Sequence, residues 1–185
     1  MRRRWLRATV GSAALLAGLF GAPALLAPRP RLMWNASPSV PLGFYHIDVG
    51  ASPAIGDLVA IAPPPRIETW LDARGYVPRG IPLLKHVAAT EGALVCRSGV
   101  FVTIDGSPAA RARDRDRIGR PLPVWLGCRR LGPGQLFLLN AAPDSLDGRY
   151  FGPIPASGLI GTAHPLFASE APDPFPQAHE METKR

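Results

Sequence analysis

The 185-residue chain is long enough for one domain with additions, and its formal net charge of +7 rests almost wholly on arginine, since Lys85 and Lys184 are its two lysines. A hydrophobic content of 46% can fill a core, while 22 prolines and 19 glycines exclude a fold of long helices and favour strands and loops. The four histidines have no HExxH-like spacing and the two cysteines do not form a ligand set, so neither a metal nor a cofactor is expected. The positive balance suits an anionic membrane surface or nucleic acid.

Residues 1–7, MRRRWLR, carry four arginines, and residues 8–27 carry no charge. Twenty helical residues span about 30 Å, the thickness of a hydrocarbon core. Arginines before such a segment predict a cytoplasmic N-terminus and an exported remainder, and an exported domain disfavours nucleic acid as a partner. Small residues near Gly21–Ala27 also fit a cleavable signal peptide, but the apolar run is long for one and favours an anchor. Export makes the cysteines legible: Cys96 and Cys128 either form a disulfide or stay as two buried thiols.

After the anchor comes a short basic stem, residues 28–32. FYHIDV and DLVAIAP read as strands, and IETWLDARG as a short helical turn within a loop rich in proline and arginine. LLKHVAAT is a further strand. VCRSGVFVTIDG is a hairpin followed by an Asp-Gly turn signal. RARDRDRIGR, Arg111 to Arg120, reads as a solvated mixed-charge loop, with lipid headgroups as its functional alternative. PVWLG and GQLFLLN are apolar strands, and PDSLDGRYFGPIP is rich in turns. Residues 168–185 are polar, proline-rich and read as a disordered tail. The sequon Asn35-Ala36-Ser37 matters only in a glycosylating host.

Two features carry chemistry. Lys85 lies between apolar residues on a strand, where it either snorkels outward from a solvent face or is buried. Buried, it would have to drop its pKa from about 10.4 to about 8, at a cost of roughly 3 kcal/mol, and would then be a general base. No His–Asp pair stands at a triad spacing, so a serine nucleophile here would need another base, and lysine is one.

In NASPSVPLGFY, LLKHVAATEG and SLDGRYFGPIPASGLIGTA the chain resembles the signal peptidase I family, in the form shown by TraF-type conjugative-transfer peptidases. The first stretch matches the serine box Ser-x-Pro-x-Gly-x-Tyr, the second the lysine box. The third matches the last box, Ser-x-Asp-Ser-Arg-Tyr-[Trp or Phe]-Gly with an Ile-Gly-x-Ala ending. The likeness spans about residues 8–166. It implies a mainly β fold: a signal-peptidase-like catalytic domain at 28–167, after one N-terminal transmembrane helix at 8–27.

The resemblance assigns roles by position. Ser39 matches the nucleophile and Lys85 the general base. Ser37 matches a hydroxyl that joins the Ser39 backbone N–H in the oxyanion hole. Ser145 matches the serine that orients the lysine amine, and Asp147 and Arg149 match a supporting ion pair. The implied protein is a single-pass bacterial inner-membrane enzyme with a periplasmic catalytic domain. Its implied partners are lipid, an exported precursor or pro-pilin, and conjugation machinery. Leu139-Asn140-Ala141 stands where housekeeping signal peptidases have Gly-Asp-Asn, and Ala-Ala-Thr-Glu-Gly where they have Gly-Leu-Pro-Gly-Asp. Those departures favour a specialised peptidase over a general one. A periplasmic assembly module that has kept the fold without activity is the non-enzyme alternative.

Overall fold

The structure, a computed structural model, describes residues 2–26, 31–50 and 52–168. The chain divides into two compact units, Met1–Pro30 and Arg31–Arg185. The first holds one helix, α1 (Arg2–Leu26). The apolar run is thus helical as expected, and the helix begins earlier, among the arginines. Among the described residues no helix is long and apolar enough to cross a membrane. Residue 27, where the expected span ends, lies outside the described residues, so the helix is established here and the span is not.

The second unit is mainly β. Its larger sheet is built from β1 (Leu32–Asn35), β2 (Gly43–Asp48), β3 (Leu58–Ile61), β4 (Leu83–Ala89), β9 (Gln135–Leu139), β10 (Ile154–Pro155) and β11 (Leu159–Ala168). All pairings are antiparallel, in the order β1-β2-β11-β3-β4-β9-β10. A smaller sheet holds β5 (Leu94–Ser98), β6 (Phe101–Ile104), β7 (Ser107–Arg111) and β8 (Gly127–Arg130), in the order β7-β6-β5-β8. Two helices complete the unit, α2 (Pro65–Ala73) and the single turn α3 (Gly148–Phe151).

Burial explains the layout. β2 alternates, with Gly43, Tyr45 and Ile47 buried and Phe44, His46 and Asp48 exposed, the mark of a strand with one wet face. β4 does not alternate: Leu84, Lys85, Val87, Ala88 and Ala89 are all buried. It lies between β3 and β9 with core on both faces, so Lys85 has no solvent face to snorkel from.

The expected hairpin is β5–β6, turning at Gly99, and the Asp-Gly signal marks the β6–β7 turn. There Asp105 and Gly106 both adopt positive φ, at 48° and 83°, which Asp and Gly tolerate best. Cys96 and Cys128 are direct partners across β5 and β8 and are joined by a disulfide, which settles the open pairing.

One expectation needs correction. Of PVWLG, Gly127 alone enters a strand, because the neighbouring groups are spent on packing. Pro123 lacks an N–H, its carbonyl accepts from Arg97, and the buried Trp125 donates from Nε1 to the Gly148 carbonyl at 3.0 Å. The mixed-charge run is mostly exposed, as expected, but within it Asp116 is tied down by Tyr76 and Arg120. β11 continues through Phe167 and Ala168, which pair with Phe44 and Gly43. Residues 169–185 lie outside the described residues.

The cross-link yields a test. Cys96 and Cys128 are 32 residues apart in sequence. Replacing both with alanine should lower stability by about 2–4 kcal/mol, read from denaturant midpoints. An unchanged midpoint would mean the bond contributes nothing.

Candidate active site

Ser37 and Ser39 lie in the turn-containing segment between β1 and β2, whose shape is dictated by a residue at the end of β1. Asn35 is buried, and its Nδ2 donates to the carbonyls of Ser37 (2.8 Å), Val40 (3.0 Å) and Pro41 (3.0 Å). Its Oδ1 accepts from the Ser37 N–H at 3.0 Å. The amide thus satisfies backbone groups that a tight turn leaves unpaired. From the other side the buried Tyr45 donates its hydroxyl to the Pro41 carbonyl at 2.7 Å. Asn35 and Tyr45 therefore hold both ends of the turn that presents Ser39. Because the Asn35 nitrogen is engaged in the interior, the sequon reading fails for the folded chain.

Ser39 is half-buried and Ser37 exposed. The Ser37 hydroxyl lies 3.1 Å from the Ser39 hydroxyl, and the Ser39 N–H points to Ser37 Oγ at 3.4 Å. Both donors expected of an oxyanion site are thus gathered around one serine. The following residue, Val40, belongs to a buried cluster with Leu84, the residue preceding Lys85.

Lys85 sits opposite Val59 of β3. Its side chain shares an apolar pocket with Ile61, Ile67, Leu83, Leu138 and Phe151. Its Nζ donates to Ser145 Oγ at 2.7 Å. Burial pushes its pKa down to about 8; nearby Asp147 pulls it back up and Arg149 pushes it down. The depressed value destabilises the fold below pH 8, where burial holds a charged amine. The penalty fades as pH rises toward the unfolded value near 10.5, because the folded amine is by then neutral.

The residues that frame the lysine come from one stretch after β9. Asp147 caps α3: its Oδ1 accepts from the Arg149 N–H and from Arg149 Nε, both at 3.1 Å. Its Oδ2 accepts from Arg149 Nη2 and from the Asn140 N–H, also at 3.1 Å each. Arg149 Nη2 donates to the Asn140 carbonyl as well. This pair is fully enclosed and hydrogen-bonded at both ends, the condition under which a buried ion pair is tolerated.

Asn140 carries the restraint onward to β4. Its Nδ2 donates to the Leu84 carbonyl and its Oδ1 accepts from the His86 N–H, both at 3.1 Å. One side chain thereby grips the backbone on either side of Lys85. Gly148 permits the approach of α3 to β9, since a Cβ there would lie 2.6 Å from the Phe137 ring and 2.8 Å from the Leu138 carbonyl. That explains glycine where the last box of the family pattern has serine.

All six expected residues therefore fall into two groups: Ser37 with Ser39, and Lys85 with Ser145, Asp147 and Arg149. Among the described residues no hydrogen bond joins Ser39 Oγ to Lys85 Nζ. Asn35 and Asn140 are the functional positions that sequence reading missed. Their signal was slight: each is a polar residue ending a strand, Asn35 closing LMWN and Asn140 following QLFLL.

Comparison with known proteins identifies the family. The family described as "Signal peptidase, peptidase S26" matches residues 2–167. This chain belongs to that signal peptidase family. The "Conjugal transfer protein TraF" of Agrobacterium fabrum is 39% identical over 145 residues, covering 72% of this chain and 80% of that one. The "Plasmid transfer protein TraF" of Escherichia coli is 31% identical over 168 residues, covering 84% and 90%. A solved signal peptidase I from Enterococcus faecalis aligns over 62% of this chain and 98% of its own, at 18% identity and a TM-score of 0.37, too loosely to carry an argument.

The buried amine makes a stability prediction for this peptidase-family member. Lys85→Met should relieve the roughly 3 kcal/mol charge-burial cost at pH 7 and lose about 1 kcal/mol with the Ser145 bond. The variant should thus be about 2 kcal/mol more stable at pH 7, with the advantage shrinking by pH 10. Thermal or denaturant unfolding at the two pH values checks this, and a destabilised variant at pH 7 would contradict it.

Proposed function

We propose that the chain is a serine endopeptidase that removes a leader or pro-peptide from exported precursors, with Ser39 as nucleophile and Lys85 as base. The observation that carries this reading is Lys85 itself: a buried amine, depressed to about 8, held by Ser145 on a strand clamped at both neighbouring residues. A structural lysine has no need of such a setting, and a general base does.

In this scheme neutral Lys85 Nζ accepts the Ser39 proton as Ser39 Oγ attacks the scissile carbonyl. The oxyanion is received by the Ser39 N–H and the Ser37 hydroxyl, in place of the long contact they make with each other. Lys85 then returns the proton to the leaving amine, and a water or an amine of the substrate resolves the acyl-enzyme. Ser39 Oγ accepts from the Ser37 hydroxyl at 3.1 Å, and the scheme requires it to pass its proton to Lys85 Nζ, a bond of the kind that tightens with substrate bound.

The anchor reading places α1 in the inner membrane with the arginines on the cytoplasmic side and the catalytic unit in the periplasm. The Cys96–Cys128 disulfide supports an oxidising compartment. Ser39 lies about a dozen residues past the apolar run, a tether suited to precursors emerging from a bilayer. The TraF relatives favour a conjugation substrate, most simply a pro-pilin, over the broad clientele of a general signal peptidase.

Mass spectrometry of a co-expressed pilin precursor tests the reading. Wild type should yield one defined cleavage, with a product short by one water if an internal amine resolves the acyl-enzyme. Ser39→Ala and Lys85→Ala should each leave the precursor intact. Cleavage by either variant at the wild-type rate would sink the dyad. The rate should also climb about tenfold per pH unit up to about pH 8 and then level, as the neutral amine accumulates. A rate flat from pH 6 to pH 10 would remove lysine as the base.

A further inference from the structure

The mixed-charge run between β7 and β8 is a strap. From the smaller sheet it crosses to α2 and to the segment that bears Ser145. Asp116, at its centre, accepts hydrogen bonds on Oδ2 from the Tyr76 hydroxyl and from Arg120 Nε, the latter at 2.7 Å. Its Oδ1 accepts from the N–H groups of Ile118 (3.0 Å) and Arg120 (2.8 Å). The strap then holds the end of α2 reciprocally: Arg120 Nη1 donates to the Arg74 carbonyl at 3.0 Å, and Arg74 Nη1 to the Pro121 carbonyl at 2.7 Å.

At its other contacts the strap meets the last box. Arg117 pairs with Asp144, next to Ser145, and the Arg113 N–H donates to the Tyr150 hydroxyl at 3.0 Å. Between these ties, Trp70 of α2 stacks on Tyr76 and packs edge-on against Phe151. α2 also supplies Ile67 to the apolar pocket that Lys85 shares with Phe151 and Pro63.

We infer that this strap, keyed by Asp116, is a positioning element for Lys85: by pinning α2 it keeps Pro63, Ile67 and Phe151 closed around the amine and excludes water from it. Asp116 and Tyr76 then tune the base from outside the site, acting through apolar walls and not through charge. The charged groups acting on Lys85 are Asp147 and Arg149, with His86 beside it in the chain. α2 contributes no charged residue to the pocket lining. Loosening the strap should admit water, favour the protonated amine and raise the pH at which it deprotonates.

The inference deepens the proposed role of Lys85 as base, and its test does not depend on peptidase activity. With two lysines in the sequence, peptide mapping isolates Lys85 cleanly. The full chain in detergent is treated with a trace of acetic anhydride across pH 6–11, and the acetylation rate of Lys85 is read by mass spectrometry against free N-acetyl-lysine amide. Wild type should show a midpoint near 8. Tyr76→Phe, Asp116→Ala and Ile67→Ser should each move it upward toward the free amine, and the pH limb of precursor cleavage should move with it. Should Asp116→Ala fail to fold, Tyr76→Phe, which deletes one hydroxyl, decides. An unmoved midpoint in folded Tyr76→Phe or Ile67→Ser overturns the inference. A moved midpoint in a chain that cleaves no precursor upholds the strap and rejects the peptidase reading.

Discussion

The burial of one amine is the constraint on which the rest depends. Lys85 stands on a strand covered on both faces, so its charge cannot reach water, and the fold is less stable at neutral pH for containing it. A chain carries that cost only if its surroundings hold the amine in place and supply a partner. Ser145 supplies the partner, and the Asp147–Arg149 pair fixes the loop that bears Ser145. Stability given up for reactivity is a recurrent feature of sites that need an unusual protonation state.

Two asparagines do parallel work on the two halves of the site. Asn35 gathers the carbonyls of the serine turn, and Asn140 grips the peptide groups on either side of Lys85. Asn140 is uncharged, which suits a position beside an amine whose charge state matters: a carboxylate there would favour the ammonium form. The lysine is thus oriented mainly by neutral hydrogen bonds, with the buried Asp147–Arg149 ion pair set behind them.

What the sequence made legible followed from local rules. The strands read in FYHIDV and LLKHVAAT and the Asp-Gly turn signal all matched the elements found. What stayed hidden depended on tertiary partners. PVWLG has a strand's composition, yet Trp125 and Pro123 serve packing and carbonyl contacts. Asn35 was read only as part of a sequon because nothing local reveals that its amide turns inward. Asp116 looked solvated because its partners, Tyr76 and Arg120, lie 40 and 4 residues away, and the distant one decides its environment.

The central claim is that the Lys85 amine is the base for Ser39. The described chain has no free cysteine, so Lys85→Cys creates a single alkylation site. Alkylation with 2-bromoethylamine would restore an amine at that position on a thioether chain, with a lower intrinsic basicity than lysine. The account predicts no precursor cleavage by Lys85→Cys, recovery after alkylation, and a pH–rate limb displaced downward by as much as the free thioether amine lies below lysine. Full activity before alkylation, or recovered activity with the limb unmoved, would contradict it.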